Sequence, residues 1–251
     1  MLKTIKTSLL FGLVLSACAA HAELPADYKV VLLTENFPPF NMSVDDKNFA
    51  RDDGIDGISA EVVRAMFKRA NIDYSLSLRF PWDRLYRLTL DKPNYGLFST
   101  TRTAERESSF KWVGPLGDTS WVLVAAPDST INVASLQEAA KYKIGAYKNN
   151  AVTQSLESQN IPLVIALRDQ ENARKLAKGQ IDLWATDDPA GRYMARQEGI
   201  TGLRVVLKMN QAQLYLALNR DTPDEVIERL QKALDELRAE GFIEEMTNNY
   251  L

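Results

Sequence analysis

The chain has 251 residues, 45% of them hydrophobic and 25% charged, a globular balance that suits one large domain or two modest ones. A formal net charge of −3 excludes a broad basic surface for nucleic acid. One Cys, one His and no Cys-x-x-Cys argue against a zinc site built from protein ligands, and nothing in the sequence asks for a cofactor.

The first residues have the build of a secretory signal peptide. Lys3 and Lys6 precede the apolar run "LLFGLVLSA", too short to span a bilayer, and "AHA" at 20–22 is a small-x-small cleavage site. The expected cut follows Ala22 and places the protein in the periplasm. It removes two lysines and no acids, so the net charge moves from −3 to −5. The alternative lies in "LSAC" at 15–18, which resembles a bacterial lipoprotein box and would leave a lipid anchor on Cys18.

Past the signal, apolar runs and helical stripes alternate. "YKVVLLT" (28–34) is the first expected strand, and Pro38 and Pro39 in "ENFPPFNM" forbid its continuation. In "DGIDGISAEVVRAMFKRAN", Ile58, Val62, Ala65 and Met66 share one helical face. "DYSLSLRF" (73–80) alternates like a strand. "PWDRLYRLTL" starts a helix at Pro81, and "YGLFST" (95–100) is the next strand. Further strands are expected at 121–127, 142–148, 162–167, 181–186, 203–209 and 213–219. Helices fit "ASLQEAAK", "AVTQSLESQ", "DQENARKLAKG" and "PAGRYMARQEG" between them. The last long helix, "TPDEVIERLQKALDELRAEG", is read as capped by Thr222 with Pro223 at its first position, and Val226, Leu230, Ala233, Leu234 and Leu237 form its apolar stripe. "FIEEMTNNYL" closes the chain as a short helix. Alternation of this kind implies two α/β lobes with parallel sheets covered on both faces, and ligands at the carboxyl ends of strands.

Candidate site residues cluster at those strand ends. "STTRTAERE" carries Arg102 and Arg106, either of which binds an anion or pairs with a surface acid. For Arg106 the plain alternative is a bond to Glu105 or Glu107; for Arg102 it is a hinge-side ion pair. Thr103 reads as a helix N-cap. In "TDDP", one acid can cap a helix at Pro189 while the other faces a ligand. Trp184 lies mid-strand and reads as core.

Several motifs in order resemble the family 3 periplasmic solute-binding proteins of bacterial ABC transporters, the polar amino-acid binders. "ENFPPF" is similar to the family's x-Y-x-P-F turn, and "FPWDRLYRLTL" to its W-[DE]-x-[LA]-[IL]-x-x-L helix. "STTRTAERESSFKWVGP" resembles x-[ST]-x-T-x-[ST]-x-x-R-x-x-x-[FV]-x-F-[ST]-x-P, and "AKGQIDLWATDDPAG" resembles x-x-G-[RK]-[VI]-D-[AG]-x-x-x-D. "IGAYKNNAVTQSL" matches the family's turn into a helix but has Asn149-Asn150-Ala151 in place of Gly-Thr/Ser. Asn149 tolerates the left-handed turn that Gly would take.

The resemblance implies an α/β bilobal periplasmic-binding-protein-like fold of type II, two lobes joined by a two-strand hinge. Lobe one would be residues 23–118 and 211–251, lobe two residues 119–210. It implies Arg106 for a ligand carboxylate, Asp187 for an ammonium, and Thr101 and Ser99 as polar partners. Asn150 and Ala151 would supply a helix start, Phe37 and Trp82 the aromatic walls. If Arg102 reaches the pocket, the ligand is expected to carry a second negative group. The implied protein is a non-enzymatic monomer that captures an amino acid or similar carboxylate for an ABC permease. Two alternatives stand beside it: a cyclohexadienyl dehydratase-like enzyme using Glu35 or Asp188, and a ligand-loaded partner of a membrane receptor.

Overall fold

A computed structural model describes residues 24–25, 27–45 and 47–250. The signal peptide, Cys18 and the expected cut after Ala22 lie outside the described residues. The strands are β1 (Lys29–Thr34), β2 (Met42–Ser43), β3 (Ala50–Arg51), β4 (Ile55–Asp56), β5 (Asp73–Leu78), β6 (Tyr95–Thr101), β7 (Lys111–Ala125), β8 (Ile144–Tyr147), β9 (Leu163–Ala166), β10 (Leu183–Asp188) and β11 (Arg204–Leu218). The helices are α1 (Ile58–Ala70), α2 (Trp82–Asp91), α3 (Leu136–Ala139), α4 (Ala151–Ser158), α5 (Asp169–Ala177), α6 (Ala190–Gln197), α7 (Asp224–Ala239) and α8 (Phe242–Tyr250).

The two lobes share one sheet rather than owning one each. Nine strands run in the order β3-β5-β1-β6-β11-β7-β10-β8-β9, and β2 pairs with β4 apart from them. β1, β5 and β6 are parallel at one end, β8, β9 and β10 at the other. Between them lie β7 and β11, antiparallel to each other along nearly their whole length. β10 pairs with the later part of β7, from Ser120 to Val124, while β6 pairs with the last part of β11, from Leu214 to Leu218. The register of β11 against β7 shifts three times, at Val205/Leu207, Lys208/Asn210 and Leu214/Leu216.

Local chemistry fixes the element ends. Gly57, at φ +122°, turns the chain into α1; a Cβ there would lie 2.5 Å from the carbonyl oxygen of Phe40. Asn71 closes α1 in the left-handed conformation (φ 50°), as a C-terminal residue with a short polar side chain does. α1 and α7 pack their apolar stripes together over β5 and the first part of β7, with Phe67, Met66, Leu230 and Leu234 fully buried. A second core under β8 and β10 gathers Leu123, Ile144, Val152, Leu156 and Leu183. Burial of each such side chain contributes about 1.5–3 kcal/mol.

Several assignments differ from expectation, among them the strand expected at 121–127, which begins at Lys111. α7 begins at Asp224 with Pro223 as its N-cap; Thr222 is buried and its hydroxyl caps nothing. No helix starts at Thr103: its carbonyl accepts from the Arg106 N–H in a turn, and a 3-10 turn follows at Glu107–Ser109. The two strands expected at 203–209 and 213–219 are one, Arg204–Leu218. Its middle is polar because it is exposed there, and pairing with β7 holds it together.

Candidate functional site

The carboxyl ends of β1, β6, β8 and β10 and the starts of α2, α4 and α5 converge on one cavity. Ser99, Thr101, Arg106, Phe37, Trp82, Asn150, Ala151 and Asp187 all line it. Arg102 does not; it borders an adjoining groove on the hinge side that shares Thr101, Arg106 and Ala151 with the cavity. Glu35, expected there only as the acid of the dehydratase alternative, also lines the cavity, as do Asn41, Tyr147, Arg168 and Asp169, to which sequence reasoning gave no role.

Arg106 is the buried cation of the site, 3% exposed. The loop after β6 turns back at Thr103 and carries its side chain inward. One terminal nitrogen donates to the Thr101 carbonyl (3.3 Å) and the other to Gln154 Oε1 (2.8 Å) across the cleft. Its guanidinium lies 5.4 Å over the Tyr86 ring. Nε is buried without a partner, and neither Glu105 nor Glu107 hydrogen-bonds the side chain. Burial pulls its pKa below the usual arginine value. A desolvated guanidinium with a free donor is a site for an anion that the protein does not supply.

The start of α4 is the second anion-friendly feature. Asn149 takes φ 61°, and the Asn150 side chain accepts from the Thr153 N–H (2.8 Å). Gln154 N–H bonds Asn150 O, as the helix requires. The N–H groups of Ala151 and Val152, in the first turn, have no intrahelical acceptor and sit at the positive end of the helix dipole.

Three carboxylates meet this positive side. Asp187, 6% exposed at the end of β10, accepts only from Thr119 Oγ1 at 3.3 Å. Burial, and then the charge of Asp169, push its pKa up to about 7. Asp169 is tied down by Asn172, Trp184 Nε1 (2.8 Å) and Thr186 (3.0 Å), so it has the look of a structural acid. Burial raises it to about 6. Trp184 is fully buried, as expected of a core residue. Glu35 follows β1, and burial lifts it to about 8. Its Oε1 accepts from the Tyr147 hydroxyl across the cleft, while Oε2 is buried without a partner.

Ser99 and Asn41 fix the floor. Asn41 donates its amide to the Glu35 carbonyl and accepts from the Ser99 hydroxyl, joining the ends of β1 and β6. Ser99 itself takes φ 56° inside a strand, a conformation that costs on the order of 1–3 kcal/mol and concentrates at binding sites. Phe37 stacks on Phe40 (5.3 Å, 24°), and Arg168 covers Phe80 at the mouth (5.4 Å). Asp188, the other half of the "DDP" pair, caps nothing. Its carboxylate bonds Arg192 Nε at 2.9 and 3.1 Å, and Pro189 is the N-cap of α6.

Tyr147 had a signal that went unused, and Glu35 one that was used only for the dehydratase alternative. Each stands at the carboxyl end of a parallel strand, where an acid or a phenol is well placed for a ligand. Gln154 had none: it is one polar residue among several on α4, and only the fold brings it to Arg106.

The sequence matches the family described as bacterial extracellular solute-binding proteins, family 3, over residues 30–251. No curated protein matches it. Among solved structures, a histidine kinase sensor domain with similarity to periplasmic binding proteins superposes with a TM-score of 0.78 at 18% identity, covering 89% of this chain and 96% of that one. The arginine-, lysine-, histidine-binding protein ArtJ from Geobacillus stearothermophilus gives 0.76 at 19%, covering 89% and 95%. The ancestral amino acid-binding protein AncCDT-1, a precursor of cyclohexadienyl dehydratase, gives 0.73 at 14%, covering 88% and 94%.

Proposed function

Because this chain belongs to the family 3 bacterial extracellular solute-binding proteins, we propose that its cleft closes on a zwitterionic amino acid. The observation that carries this is the separation of unpaired charge inside one cavity. Arg106 and the α4 N-terminus stand ready for an anion and Asp187 for a cation, and neither side neutralises the other by a direct hydrogen bond. On this reading the ligand carboxylate lies between Arg106 and the Ala151 and Val152 amides. The ammonium lies at Asp187, and a polar group of the ligand side chain meets the protonated Glu35 carboxyl at Oε2. Phe37 and Trp82 pack its stem.

The lobes, residues 23–118 with 211–251 and residues 119–210, part and close about β7 and β11. The protein is exported, cut after Ala22, works as a monomer and hands its ligand to an ABC permease. Calorimetry against the twenty L-amino acids tests the ligand class. Arg106→Ala removes a buried charged donor worth about 3 kcal/mol, on the order of 100-fold in affinity. No binding by wild type, or equal binding by the variant, defeats the assignment.

A dehydratase is the second reading, and Glu35 is the observation in its favour. It is a cavity acid held largely protonated at neutral pH, as a general acid must be. Asp188 has no such part, being paired with Arg192 and absent from the cavity wall. Conversion of prephenate to phenylpyruvate by wild type, lost in Glu35→Gln, would establish it.

A further inference from the structure

Arg102 and Arg106 stand at opposite ends of one row of aromatic rings. Arg106 covers Tyr86 at 5.4 Å. Tyr86 meets Phe110 edge-on (5.1 Å, 83°), Phe110 meets Trp112 (5.5 Å, 78°), and Trp112 meets Tyr215 (6.1 Å, 83°). Arg102 closes the far end, 5.8 Å from Trp112 and 5.4 Å from Tyr215. Trp112 and Tyr215 belong to β7 and β11, the two strands shared by the lobes. The seat of Tyr215 is built in: a Cβ on Gly114 would come within 2.4 Å of its ring.

Arg102 also grips the loop that holds Arg106. Its Nε and one terminal nitrogen bond the two oxygens of Glu107 at 2.7 and 2.5 Å, a two-pronged pair. Trp112 Nε1 donates to the Glu107 carbonyl at 3.1 Å, so the residue next to Arg106 is held by both side chain and main chain. An isolated surface ion pair would mean little. This one closes a ring around residues 102–107 and lays it against the aromatic row.

We propose that Arg102 is a positioning residue that sets Arg106 in the cavity, acting through the Glu107 fork and the Trp112–Phe110–Tyr86 row. The inference rests on the amino-acid reading only for its effect on affinity; the placement of Arg106 is independent of any ligand.

The test therefore has a ligand-free arm. Arginine side-chain Nε–H exchange is followed by NMR in the mature wild type and in Arg102→Ala, with Arg64 as an internal reference because it is held by its own bonds to Asp52 and Glu61. Exchange at Arg106 is expected to quicken at least tenfold while Arg64 stays within twofold. Arg102→Lys, which keeps the charge without the fork, should behave like Arg102→Ala. Glu107→Gln, a milder change that preserves the chain's shape, should shift Arg106 in the same direction. Unchanged exchange at Arg106 in Arg102→Ala, or wild-type exchange in Arg102→Lys, overturns the proposal.

The second arm uses L-arginine and L-argininamide as probes, which differ in the carboxylate. Arg102→Ala should weaken L-arginine about tenfold and the amide little, and the loss should vanish in an Arg106→Ala background. An equal loss for both probes, or one that persists without Arg106, overturns it. If wild type binds neither probe, the amino-acid reading suffers and the exchange arm alone decides the role of Arg102.

Discussion

Glu35 gives a sharp test of the site's electrostatics. Its carboxyl is buried, lifted from 4.5 to about 8, and accepts from Tyr147 across the cleft. Below pH 4.5 both folded and unfolded chains hold the proton. Between about 4.5 and 8 the unfolded chain has released it and the folded chain has not, so stability falls as pH rises. Above 8 both have released it. The loss is about 1.4 kcal/mol for each pH unit in that window, hence about 4 kcal/mol between pH 5 and 8. Glu35→Gln keeps the shape and the acceptor for Tyr147 but cannot ionise. Urea unfolding of the ligand-free mature protein at pH 5, 6, 7 and 8 should find wild type and variant close at pH 5. The variant should then gain by several kcal/mol at pH 8. Asp187 titrates in both proteins and cancels in the difference, while Asp169, whose charge is a minor cause of the Glu35 shift, cancels to first order. Parallel stability curves for the two proteins would refute the reasoning.

Two further outcomes follow. Asp187 is lifted to about 7, so it must give up a proton to hold an ammonium below that pH. Asp187→Asn should therefore weaken the ligand on the order of 10- to 100-fold at pH 8 and distinctly less at pH 5.5, read by calorimetry at both. Gly57→Ala would drive a Cβ against the Phe40 carbonyl at φ +122°; a loss of about 2 kcal/mol or more should appear as a lower urea midpoint with an unchanged slope.

Most of the architecture is legible in the sequence because most elements are amphipathic or wholly buried. The stripe of Val226, Leu230, Leu234 and Leu237 announces α7, and "YKVVLLT" announces β1. The two shared strands are harder. The first part of β7 is broken by Gly114, Pro115 and Gly117. The middle of β11 carries Lys208, Asn210, Gln211 and Gln213. Neither run shows a clean two-residue period: the first part of β7 is half-buried on both sides, and the middle of β11 is largely exposed. Motif spacing brings Arg106, Asp187, Ser99 and Ala151 to one cavity, because strand ends and helix starts are local features. The Arg106–Gln154 and Glu35–Tyr147 bonds join residues far apart in the chain, and only closure of the two halves creates them.

The three register shifts of β11 against β7 bear on how such a cavity can be reached. Arg106 and Ser99 are buried, so on the proposed reading a solute enters when the halves separate. A regular ribbon would resist that by losing a run of ladder bonds. A ribbon already irregular at Val205, Lys208 and Leu214 has slack at those points, and the bend becomes a change of twist there with the rest of the ladder intact. On the proposed reading the barrier to opening then lies in the contacts that cross the cleft, with the irregular ribbon adding little to it. Dwell time on a solute becomes a property of the side chains lining the pocket, which can vary without disturbing the scaffold.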